Sequence, residues 1–241
     1  MVITSVDNKN IVELVKLKQS KYRKKNKLFL VEGEHLIREA LNNNKLISVY
    51  ILENTEISFP VETTYVTLDV MKKLTDLDNP SNMIGVCKIE DNSEITGNRI
   101  LLLDRIQDPG NLGTIIRSAL AFNVDTVILS NDTVDLYNSK VIRSTQGMLF
   151  GLNIITMDLV DAIEIIKSRN IEVYGTKVDN GIKIDKVNKE KYAIVMGNEG
   201  QGVSSNILDL CDKYVYIDMN KKVESLNVAV ATSIILYELD K

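Results

Sequence analysis

Apolar positions along this chain come in two rhythms that alternate from end to end. IVELVKLK (11–18) spaces them as a helix does, whereas LFLVEG (28–33) is a short continuous run closed by glycine, as a strand is. HLIREALNN (35–43) returns to helical spacing. LISVYIL (46–52) and TTYVTL (63–68) read as strands, VMKKLTDL (70–77) as a short helix and MIGVCKI (83–89) as a closing strand. The stretch that follows, from Glu90 to Asn98, is polar and without period, the pattern of a connector.

Beyond it the alternation is cleaner. Strands are expected at ILLLD (100–104), TVILS (126–130), LNIIT (152–156), IEVYGT (171–176), YAIVMG (192–197) and YVYIDM (214–219). Helices are expected near 112–122, 138–149, 161–169, 204–211 and 225–239. Short, continuously apolar strands separated by helices predict a mostly parallel sheet covered on both faces, with ligands at the carboxyl ends of its strands. The chain therefore divides into a small N-terminal α/β domain (1–90), a linker (91–98) and a larger C-terminal α/β domain (99–241).

Composition narrows the class. Of the 241 residues 44% are hydrophobic and 26% charged, an ordinary soluble balance, and no apolar run approaches the length of a membrane span. The start lacks the layout of a signal peptide, and Cys87 and Cys211 are isolated, as expected for thiols in a reducing cytoplasm. One histidine, His35, has no second histidine or nearby cysteine to share a metal with, so no metal site is expected. The net charge of −4 is unevenly placed: residues 1–30 hold eight bases against two acids. Such asymmetry suits a localised anionic partner, or a solvated basic arm. Lys21, Arg23, Lys24 and Lys25 are the candidate contacts to such a partner within it.

Three loops after strands carry the chemistry. LDRIQDPGNLGTIIRSA (103–119) turns at Pro109-Gly110 and enters a helix on which Arg117 lies one turn past Gly113. VMGNEGQGVS (195–204) sets Glu199 among three glycines. YIDMNKKVESLNVAVA (216–231) offers Ser225 as the N-cap of the last helix, with Asn227 in its first turn. Neither the dinucleotide GxGxxG nor the phosphate-binding GxxxxGK[ST] pattern is present, which disfavours an α/β dehydrogenase.

Together these three motifs, in this order and spacing, resemble the SpoU/TrmH family of RNA ribose 2′-O-methyltransferases across roughly residues 98–241. LFLVEGEHLIREAL is similar to the small RNA-binding domain, of ribosomal-protein-like fold, that precedes the catalytic domain in several members. The resemblance implies a trefoil-knotted α/β methyltransferase domain, a homodimer, S-adenosylmethionine as cofactor and no metal. Matching positions imply that Thr176, Gly197, Ile217, Met219 and Leu226 line the cofactor, with the loop glycines letting backbone press against it. They imply Arg117 as the catalytic arginine, Asn111 orienting it or the ribose, Glu199 as its charge partner, and Ser225 and Asn227 anchoring the third loop. In NSKVIRSTQGMLF (138–150), Lys140 and Arg143 are candidate phosphate contacts or part of a solvated helix face.

Two departures bear on the cofactor. Asp218 stands where the family often has proline, and the chain reads Asn220-Lys221-Lys222 where glycine is frequent in the family, so the loop is less preorganised or its lysines reach RNA. The expected activity is 2′-O-methylation of structured RNA, ribosomal RNA first and transfer RNA second. A non-catalytic RNA-binding or ribosome-assembly protein of the same fold is the alternative. The last helix, apolar on nearly all sides, is either a core element or shared with a second subunit.

Overall fold

A computed structural model describes residues 2–91, 93–178, 180–220 and 222–241. They fall into two compact units, one formed by 1–91 with 135–150, the other by 92–134 with 151–241.

The first unit begins with β1 (Val2–Ile3), α1 (Lys9–Lys16), α2 (Ser20–Asn26) and β2 (Leu28–Glu32). It continues with α3 (Glu34–Asn42), β3 (Leu46–Leu52), β4 (Glu62–Val66), α4 (Leu68–Leu74) and β5 (Met83–Lys88). Its sheet has the order β1-β4-β3-β5-β2 and is mixed, with β5 antiparallel to both neighbours. Asn8 caps α1 by accepting from the Asn10 amide at 3.0 Å, and Ile11, Leu14 and Leu17 pack on Val70, Met71 and Ile84.

The element that periodicity missed is α2, whose sequence SKYRKKN has no apolar stripe at all. It is held instead by Arg23, expected to contact RNA but only 6% exposed. Its guanidinium donates to the carbonyls of Leu17 and Lys18, both at 2.8 Å, and pairs with Asp135 at 2.5 Å. The reading of Arg23 as a phosphate contact is therefore corrected: it is a buried clamp, because the helix turns position 23 inward. Lys21, Lys24 and Lys25 on the same helix are exposed.

The second unit opens with β6 (Arg99–Leu103), α5 (Pro109–Ala121) and β7 (Thr126–Leu129). The chain then gives α6 (Ser139–Thr145) to the first unit, where Tyr137 and Phe150 stack against Phe29 at ring separations of 4.6 and 6.2 Å. It returns with β8 (Asn153–Thr156), α7 (Leu159–Ser168), β9 (Val173–Thr176), β10 (Ile182–Lys183), β11 (Tyr192–Met196), α8 (Ser205–Leu208), β12 (Lys213–Tyr216) and α9 (Val228–Asp240). The sheet order is β10-β12-β9-β11-β6-β7-β8, and every described pairing in it is parallel. β7 and β11 are buried at every position, which is why they read as continuous apolar runs.

Residues 93–98, expected within a linker, are tied to the second unit. Arg169 donates to the Ile95 carbonyl at 2.9 Å, and the Thr96 amide donates to Thr126 Oγ1 at 3.1 Å. α5 and α9 pack together, joined by a Ser118–Ser233 hydroxyl contact of 2.7 Å.

Candidate active site

β9, β11 and β12 end at one side of the second unit, and their carboxyl ends open into a cavity of about 500 Å³. Thr176 and Met196 close two of these strands, and Ile217, Met219, Ser225 and Leu226 supply the facing wall. All five residues expected to line a cofactor thus surround a single cavity, within the size range of small-molecule sites. The Thr176 hydroxyl is already committed to the Val195 carbonyl at 2.8 Å, so it offers surface rather than a free donor.

The glycine loop owes its shape chiefly to itself. A Cβ on Gly197 would lie 2.0 Å from the Val203 amide nitrogen, and Gly202 has φ +69°. Asn198 and Gly202 exchange two backbone hydrogen bonds, of 3.1 and 2.9 Å, that fold the loop back on its own start. Asn198 then accepts from the amides of Gly200 and Gln201 and donates to the Arg105 carbonyl at 2.9 Å. The first requirement for these glycines is therefore closure of the loop, which places its backbone along the cavity wall.

Glu199 reaches the start of α5, where amides are otherwise unpaired. It accepts from the Gln107 and Asp108 amides, at 3.2 and 3.1 Å, and from Asn111 Nδ2 at 3.0 Å. Burial alone would raise its pKa, but these hydrogen bonds outweigh it and hold the carboxyl below the usual glutamate value. Asn111 Oδ1 in turn accepts from Asn227 Nδ2 at 2.9 Å. One line of side chains, Glu199–Asn111–Asn227, joins all three motif loops.

Two expectations change here. Glu199 is not the partner of Arg117, since its acceptor sites face the α5 terminus. Arg117 is exposed on α5 and makes no hydrogen bond or ion pair among the described residues. Ser225 is not the N-cap of the last helix: Asn227 is, accepting from Ala229 and Val230 amides at 2.9 and 3.3 Å. Ser225 lies exposed at the cavity edge. Asp218 is exposed and takes no part in the cavity wall, and Lys221 lies outside the described residues. Lys140 and Arg143, both on α6, belong to the first unit.

Sequence reasoning overlooked Asn198 and Arg105. Arg105 has the left-handed φ of +57° and donates to Asp104 at 3.1 Å and to Gln201 at 2.9 Å, tying the first loop to the second. The asparagine adjoining Glu199 was a visible signal for the first; nothing in the sequence marks the second. Among the described residues, no three His, Cys, Asp or Glu side chains converge as a metal site would require.

Comparison with known proteins agrees with this geometry. Residues 98–237 match the SpoU rRNA methylase family, and residues 8–85 match the MRM3-like substrate binding domain. The chain is 35% identical to the 23S rRNA (guanosine(2553)-2′-O)-methyltransferase RlmP of Bacillus subtilis (strain 168), over 98% of each chain. An AdoMet-bound rRNA methyltransferase from Sinorhizobium meliloti superposes with a TM-score of 0.87 at 26% identity, covering 99% of this chain and 97% of that one. The SpoU methyltransferase AviRb from Streptomyces viridochromogenes, in complex with AdoMet, gives 0.85 at 26% identity over 97% of both chains. With its three motif loops joined around one cavity and 98% of its length matched by RlmP, the chain belongs to the SpoU rRNA methylase family.

Proposed function

We propose that this protein transfers a methyl group from S-adenosylmethionine to the 2′-hydroxyl of a guanosine in 23S ribosomal RNA, in the cytoplasm. The observation that carries the reading is the bonded line Glu199–Asn111–Asn227, which joins three motif loops beside a cavity of about 500 Å³. The choice of RNA follows the full-length likeness to RlmP.

When bound, S-adenosylmethionine supplies an electrophilic methyl group on a positively charged sulfur. Ile217, Met219 and Leu226 would hold its apolar parts, and backbone groups of the 197–202 loop its polar edges. Arg117 would grip an RNA phosphate and the ribose 2′-oxygen. A guanidinium, with a pKa above about 12, is a poor base, so its contribution is to stabilise the oxygen as it gives its proton to solvent. Lys21, Lys24 and Lys25 would meet the RNA backbone, with Lys140 as a further phosphate contact.

A homodimer belongs to the same proposal. Val230, Ile234 and Tyr237 form a stripe along α9 and remain 49%, 36% and 51% exposed, an apolar face suited to a second copy. Arg117, without a partner on the adjoining α5, would then serve the cavity of the other protomer. The trefoil knot implied by the family motifs would lie in the loops that follow β11 and β12.

The test is methyl transfer from labelled S-adenosylmethionine to a 23S rRNA transcript, with the modified ribose mapped by reverse-transcription stops. Arg117→Ala should lower turnover by about 100-fold or more while leaving cofactor affinity unchanged. Transfer to transfer RNA alone, or none to any RNA, would overturn the reading.

A further inference from the structure

A second cavity, of about 180 Å³, lies wholly within the first unit, between β2, the end of α4 and the start of α6. That is room for about six water molecules. Its walls include the apolar side chains of Leu30, Leu74, Ile84 and Ile142.

Its polar lining divides into two groups. One is already committed. Lys18 pairs with Asp76 at 3.2 Å, and Glu32 accepts from the Thr75 hydroxyl at 2.6 Å and the Ser81 amide at 3.0 Å. The other is open. The Tyr137 hydroxyl, the Arg143 guanidinium and the Asn138 side-chain nitrogen make no hydrogen bond or ion pair among the described residues, although Asn138 Oδ1 accepts from the Lys140 amide at 2.9 Å. Arg23, 6% exposed and also in the lining, keeps a buried Nε without a partner. Burial and nearby carboxylates push the Tyr137 phenol up to about 12, so it remains a donor at neutral pH. Its ring is fixed against Phe29, 4.6 Å away.

A cavity lined by unmet donors and by aliphatic carbon suits a flat, acceptor-bearing ring better than a phosphate, which would leave the apolar walls unused. The exposed Lys21, Lys24 and Lys25 are on the same unit and would draw a polyanion to it. We infer that this cavity receives one unstacked nucleobase of the bound RNA, its carbonyl and ring-nitrogen acceptors facing Tyr137, Asn138 and Arg143. The inference rests on the proposed RNA methyltransferase function and adds a second reading point, on the first unit rather than at the motif loops. The substrate it selects is an RNA that offers an unpaired base besides the methylated nucleotide.

The experiment uses the full chain and 23S rRNA fragments in which single nucleotides are made abasic, one position at a time. Binding is measured for the wild type and for the double variant Tyr137→Phe, Arg143→Met. One abasic position away from the methylated nucleotide should weaken wild-type binding by about tenfold and leave the double variant, already weakened, no worse. Tyr137→Phe retains the ring packing, and an unchanged melting temperature would show that the double variant folds. If every abasic position affects both proteins equally, the cavity holds no base and the inference falls. Methyl transfer to the intact fragment is recorded in parallel: its absence from the wild type would count against the proposed function instead.

Discussion

Glu199 and Arg23 are both charged residues whose partners, rather than their charges, explain their positions. Glu199 organises a helix start, and its depressed pKa fixes the sign of the pH effect. Its contribution to stability is full above the unfolded value of about 4.3 and is lost as pH falls through the lower folded value. Glu199→Gln should therefore be less stable than the wild type at pH 7, with the difference shrinking below about pH 4 in thermal melts. A constant difference across that range would mean that the carboxylate is not what holds α5. Arg23→Ala leaves two carbonyls without their donor and Asp135 without its charge partner, and should cost about 3 kcal/mol of stability, measured by urea unfolding. Lys24→Ala with Lys25→Ala should change stability by no more than about 0.5 kcal/mol per site while flattening the salt dependence of RNA binding.

Among the elements, those with a buried stripe or a continuous apolar run were legible. β3 spans Leu46–Leu52 as expected, and β6, β7 and β11 fall within one or two residues of their expected limits. α2 was not legible, because one inward arginine does the work that an apolar face does elsewhere. The two-residue β1 and β10 are too short to carry a period. The cap of α9 was displaced from Ser225 to Asn227, since both residue types cap well and only the bond to Asn111 selects between them. The cavity-lining residues were legible through the motifs. The Glu199–Asn111 contact was not, because 88 residues separate the pair. Within the glycine loop the positions are unequal. Gly197→Ala forces a methyl into backbone and should cost about 3 kcal/mol and abolish cofactor binding by calorimetry. Gly200→Ala meets Asn198 only at an ordinary 3.7 Å, so the melting temperature should stay near that of the wild type.

For the whole molecule, the exposed stripe of α9 and Arg117, unpartnered among the described residues, make one prediction. If each cavity uses the arginine of the other protomer, mixing inactive Arg117→Ala with inactive Gly197→Ala should restore part of the methyl transfer. The hybrid dimer then keeps one intact pairing of cavity and arginine. No recovery, in a preparation shown by light scattering to contain mixed dimers, would place both parts of a site in one protomer. Residues 135–150 have a different consequence. They are encoded between the first and second motif loops, yet they supply Asp135 to Arg23 and two aromatic rings to Phe29. The first unit is thus not a cassette that recombination can exchange by joining genes at a single point near residue 91. A chimera that imports only the first 91 residues would inherit an arginine without its carboxylate and a phenylalanine without its stack. A designer who retargets this enzyme to another RNA therefore has to transplant both stretches.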